Sequence, residues 1–110
     1  MRTTDAAAAR SSRSRGLESA CAVLRQEADY LRARGIVHLH VFGSVARRED
    51  NTESDLDLVA EVRPGADSID MLRAEEHLAP LIGRSVGIIS RSGLTHERHG
   101  GILRDMVQVF

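Results

Sequence analysis

Apolar positions along the chain change period several times, and each change marks an element. Leu17, Ala20, Cys21, Leu24, Ala28 and Leu31 recur at helical spacing, which predicts one amphipathic helix stopped by Gly35. Residues 36–42 are apolar and β-branched with a period of two. They predict a strand with Val37, Leu39 and Val41 on one face and Ile36, His38, His40 and Phe42 on the other. Gly43-Ser44 interrupts this strand, and Ser44 is placed to cap a short helix running to about Glu49. A polar loop over 50–54 leads into a second strand over 55–62, with Leu56, Leu58, Ala60 and Val62 inward. Pro64-Gly65 makes a turn, and Asp67 or Ser68 caps a third helix carrying Ile69, Leu72, Leu78 and Ala79. Pro80 is expected to end or kink that helix. Residues 85–90 predict a third strand, 95–105 a weak helix interrupted by Gly100-Gly101, and 106–110 a short strand or a tail. The order is α-β-α-β-α-β with a C-terminal extension, which predicts an α+β fold.

Composition sharpens this only in places. A chain of 110 residues is expected to form one domain, and 42% apolar content supports a modest core. Residues 1–16 hold four arginines against one aspartate and show no apolar periodicity, so they read as a disordered basic tail ahead of a domain over 17–110. Such an arm can touch RNA or a partner, but a solvated tail is the simpler reading. The net charge of −1 steers nothing toward nucleic acid, and with three aromatic residues and no Trp there is no base-stacking platform. Direct nucleic-acid binding is therefore not expected. Cys21 is the single cysteine, which excludes an internal disulfide, and its place on the apolar helix face marks it as buried filler. No apolar run is long enough for a membrane span, and the N-terminus lacks a secretory pattern, so a cytoplasmic protein is expected.

The candidate chemistry lies in residues 43–57. Asp55 and Asp57 stand one residue apart at the start of the second strand, so their side chains share a face. Two carboxylates on one face repel unless a cation sits between them. Hard divalent ions bind through one or two carboxylates together with substrate phosphates. Ahead of them, across ten intervening residues, Gly43 and Ser44 make a bend from which a helix offers free N–H groups to a phosphate. A metal-nucleotide site follows, with acidic loop residues that are merely solvated as the alternative. Arg47, a turn beyond the bend, reaches for a phosphate or lies on a solvated helix face. His38 and His40 share a strand face, but no third zinc ligand is evident. His77, His96 and His99 read as surface residues, and Tyr30 has no assigned chemistry.

The segments Phe42-Gly43-Ser44-Val45-Ala46-Arg47 and Ser54-Asp55-Leu56-Asp57-Leu58-Val59 resemble the nucleotidyltransferase superfamily of the DNA-polymerase-β-like fold. Within it the chain is most similar to the minimal nucleotidyltransferases over residues 17–110. The resemblance implies a small mixed sheet with helices packed mainly on one face. It implies transfer of AMP from ATP with Mg²⁺ (or Mn²⁺), Asp55 and Asp57 as catalytic metal ligands, and Gly43, Ser44 and Arg47 at the nucleotide. It also implies an antitoxin paired with a HEPN-type ribonuclease toxin, adenylylated on a tyrosine. The family carries a third carboxylate on the next strand, and here Gly87 occupies that place in Val86-Gly87-Ile88-Ile89. Activity is then expected to be weakened. The alternative is a catalytically degenerate module of the same fold that neutralises the toxin by occlusion. No residues remain for an acceptor-binding domain, so the acceptor site is expected to be an open face or to be completed by a partner protein, as a homo- or hetero-oligomer.

Overall fold

The computed structural model describes residues 16–110 except Thr52. The basic tail expected over 1–16 therefore lies almost wholly outside the described residues, Gly16 already being helical. Helix α1 spans Gly16–Gln26 and α2 spans Ala28–Ala33. The break at Glu27 divides what the spacing predicts as one helix, and Gly35 follows at φ +99°, a left-handed conformation suited to glycine. Strand β1 is Ile36–Phe42, helix α3 Gly43–Ala46 and strand β2 Leu56–Val62. Helix α4 is Ser68–Ile82, β3 is Val86–Ser90, α5 is His96–Asp105 and β4 is Val107–Gln108, so the C-terminal segment forms a strand.

The sheet runs β3-β2-β1-β4. β1 is antiparallel to both β2 and β4, and β2 is parallel to β3. One sheet face and the helices share a core of Leu17, Leu24, Leu31, Leu39, Val41, Leu56, Leu58, Ala74, Leu78 and Ile88 with their neighbours, among them the buried Cys21. This is the α+β mixed sheet that the pattern and the resemblance predict.

Several local expectations fail for identifiable reasons. A register irregularity between Ile36 and His38 shifts the pleat, so Ile36 is fully buried while Val37 is 40% exposed. Pro80 does not end α4, which continues to Ile82 and stops at Gly83 with φ +87°. In the last turn proline forfeits only the bond to the carbonyl of Glu76, an exposed residue whose oxygen water can serve. In α5 the break falls at His99 rather than at the two glycines. The His99 ring Nδ1 accepts the Thr95 N–H at 3.1 Å while the Thr95 hydroxyl accepts the Arg98 N–H at 3.2 Å, a reciprocal cap. His77 is half-buried rather than exposed, stacked on Tyr30 with ring centroids 3.8 Å apart and bonded to Glu27 at 2.6 Å. At the outer edge of the sheet the Ile88 N–H donates to the Glu75 carboxylate at 2.7 Å.

Candidate functional site

The site is built where β1 ends and β2 begins. β1 leaves the sheet through Gly43 at φ +74°, and α3 starts on that glycine. Ser44 is therefore inside the first turn and does not cap the helix. The capping position belongs to Phe42, with no side-chain bond. The helix is only four residues long rather than reaching Glu49. It ends because Arg48 turns left-handed at φ +61°. The Glu49 N–H then donates to the Ser44 carbonyl at 2.8 Å and the Arg48 N–H to the Val45 carbonyl at 3.1 Å. That pair of bonds is a Schellman closure. The Arg48 guanidinium pairs with Glu18 of α1, which fastens the turn to the helical layer.

Asp57 pairs with Phe42 of β1 and with Gly87 of β3, so all three share the sheet face opposite the core. A Cβ at Gly43 would lie 2.7 Å from Asp57 Oδ2, so the carboxylate packs directly against the bend. Glycine at 43 is thus required twice, by its backbone angle and by Asp57. Asp55 is exposed and stands one residue ahead of β2. Burial pushes the Asp57 carboxyl above the usual carboxylate range, the Asp55 charge pushes it further, and Arg47 partly offsets both. Asp55 therefore lies close enough for its charge to act on Asp57.

The structure brings Gly43, Ser44, Asp55 and Asp57 together, with Arg47 near enough to act on Asp57 but held in ion pairs. Arg47 bonds Glu49 at 2.9 Å and Asp105 of α5 at 3.3 Å. Gly87 stands directly beside Asp57, and a Cβ there would meet nothing within 4 Å. Among the described residues no group of three or more His, Cys, Asp or Glu side chains is arranged to hold a metal ion. His38 and His40 accordingly form no such group, and the His40 Nδ1 atom is buried without a hydrogen-bond partner. The donor set at the bend is two acidic side chains, which suits a hard divalent ion whose remaining ligands come from phosphate or water.

Sequence reasoning missed Asp50 and Arg84. Asp50 is 2% exposed and is the one fully buried charged residue among the described residues. Its Oδ2 accepts from Arg84 Nη1 at 3.2 Å, and the same nitrogen donates to the Ser54 carbonyl at 3.2 Å. The two residues are far apart in sequence and neither carries a local pattern that announces the other.

No family model matches the chain. The protein adenylyltransferase MntA of Thermococcus cleftensis is 30% identical over 94 residues, covering 84% of this chain and 95% of the relative. The chain belongs to the minimal nucleotidyltransferase family. A solved structure described as a minimal nucleotidyltransferase is 34% identical to it, with a TM-score of 0.71, covering 83% of this chain and 93% of that one. A crystal structure of a toxin-antitoxin with AMP-PNP shares the fold at a TM-score of 0.65, covering 78% of this chain and 71% of that one, with 16% identity. Among the described residues of this minimal nucleotidyltransferase, no helix is long and apolar enough to cross a membrane.

Proposed function

We propose that this minimal nucleotidyltransferase transfers AMP from ATP to a tyrosine hydroxyl of a HEPN-type toxin partner and thereby acts as its antitoxin. The observation that carries this reading is the packing of Asp57 against the Gly43 bend, with Asp55 close enough to raise its carboxyl. That arrangement sets an anionic pair beside a backbone turn in a chain related to a protein adenylyltransferase.

In the transfer, the tyrosine oxygen bonds to the α-phosphorus, the bond from that phosphorus to the oxygen bridging the α and β phosphates breaks, pyrophosphate leaves with the electron pair, and the hydroxyl proton passes to water. Asp55 and Asp57 would hold a divalent cation, Mg²⁺ or Mn²⁺. Such an ion, when bound, neutralises phosphoryl charge and polarises the reacting oxygens. The backbone at Gly43 and Ser44 lies beside this pair and would receive the outer phosphates. Arg47 would reach them only by leaving Glu49 and Asp105.

A second reading rests on Gly87. Gly87, which the resemblance aligns with the family's third carboxylate, pairs with Asp57 and carries no side chain. On this reading the fold and nucleotide pocket persist and the partner is neutralised by occlusion. Losing a positioned acid–base group costs ~10²–10⁴ in rate, so binding outlasts turnover.

Co-expression with the product of the neighbouring open reading frame, followed by mass spectrometry of the captured partner, separates the two. Added AMP that disappears with Asp57→Asn supports transfer. A tightly bound, unmodified partner supports occlusion, and no capture at all refutes both.

A further inference from the structure

Asp55 lies outside the sheet, so pairing within β2 does not by itself place it. Both peptide planes that flank it are nevertheless anchored, and both anchors come from one two-residue segment ahead of β3. Arg84 Nη1 donates to the Ser54 carbonyl at 3.2 Å, on the N-terminal side of Asp55. The Ser85 carbonyl accepts the Leu56 N–H at 2.8 Å, on its C-terminal side. A peptide unit is planar, so fixing one atom on each side leaves the Asp55 backbone little freedom.

The Arg84 anchor is itself braced. Its Nη1 also holds Asp50 Oδ2 at 3.2 Å, at the other end of the 50–54 loop. Asp50 packs against the first residue of α1, where a Cβ on Gly16 would lie 2.7 Å from Oδ2. An acidic side chain there is favoured by the helix dipole. Between these ends the loop closes on itself. The Asn51 N–H donates to Ser54 Oγ at 3.0 Å and the Glu53 N–H to Asn51 Oδ1 at 2.8 Å. One guanidinium thus ties the entry of the loop, its exit and the start of β3 into one unit.

We propose that Arg84, braced by Asp50, is a positioning residue that sets Asp55 relative to Asp57 for a divalent cation. This rests on the reading of Asp55 and Asp57 as the ligand pair. Partners that orient metal ligands typically account for 10–100-fold in affinity.

The test is Mn²⁺ binding to the full chain, followed by electron paramagnetic resonance without nucleotide and well below the melting temperature. Arg84→Met removes both contacts. Arg84→Lys keeps a cation near Asp50. Asp50→Asn combined with Arg84→Met avoids leaving a buried charge unpaired, so a folded protein is available even if the single variant does not fold. Far-ultraviolet circular dichroism checks each fold. The proposal expects wild type to bind Mn²⁺, Asp57→Asn to lose binding, the folded Arg84→Met forms to bind about 10–100-fold more weakly, and Arg84→Lys to recover part of the loss. A folded double variant with wild-type affinity overturns the positioning role while leaving the ligand pair intact. Failure of wild type itself to bind overturns the ligand pair, and the positioning role with it.

Discussion

Gly43→Ala tests the bend at the centre of the site. The substitution acts in two ways. An L-residue at φ +74° sits in the left-handed region, which costs about 1–2 kcal/mol. The new Cβ would also lie 2.7 Å from Asp57 Oδ2, whereas ordinary contact begins at 3.4 Å, so the oxygen must retreat by about 0.7 Å. Gly65→Ala separates the two effects, because Gly65 has φ +94° with nothing within 4 Å of a Cβ. For a domain of this size each kcal/mol moves Tm by about 4–8 °C. Both variants should lose about 4–16 °C in thermal melts by circular dichroism, on the backbone cost alone. Their effects on the site should diverge. A displacement approaching 1 Å at a reacting centre can cost ~10²-fold, so Gly43→Ala should weaken AMP transfer or Mg-ATP binding by that order while Gly65→Ala leaves both near wild type. Equal Mg-ATP titration curves for the two variants, with equal melting shifts, would refute the claim that Asp57 packs on the bend.

Three further outcomes follow from the same geometry. Gly87→Asp adds a side chain where there is open space beside Asp57 and should raise transfer by ~10²–10⁴, read as radiolabel moved from ATP to the partner; equal rates in both forms would show that Gly87 is not the third-carboxylate position. Asp57→Asn should melt higher than wild type at neutral pH in chelator. The folded state holds the Asp57 proton to higher pH than the unfolded chain, so wild-type stability falls as pH rises through the window above the ordinary carboxylate range. Melts of both proteins from acid to neutral pH should show the gap opening in that window, and a wild type that melts higher at neutral pH would contradict it. Asp67→Ala removes the side-chain half of the α4 capping box, the bond from the Asp70 N–H at 3.0 Å, while the backbone N–H at 67 can still donate to Asp70, and should cost about 1 kcal/mol in urea unfolding.

How much of this was legible depended on whether the signal was local. The Gly-Ser bend and the Asp-x-Asp pair were readable because each lies at the end of a period-two run, so the strand brings them to one place. The partition of β1 into faces was misread at Ile36 and Val37, because a bulge adds a residue that alternation cannot reveal. The cap at Ser44 was misplaced because the left-handed glycine let the helix start two residues earlier, with Phe42 at the capping position. The Asp50–Arg84 pair was invisible because it joins a loop to the far side of α4, and nothing in either segment's spacing signals a buried charge. The tie between Arg47 and Asp105 was hidden for the same reason.

The Glu75 contact carries a consequence for how the molecule meets other chains. β3 is the margin of the sheet, and the outward donor of Ile88 would suit any extended segment passing by. With that donor already taken by an anionic side chain from the overlying helix, an intruding backbone must first evict a charge. The protein therefore guards this stretch of its exposed flank against adventitious strand pairing.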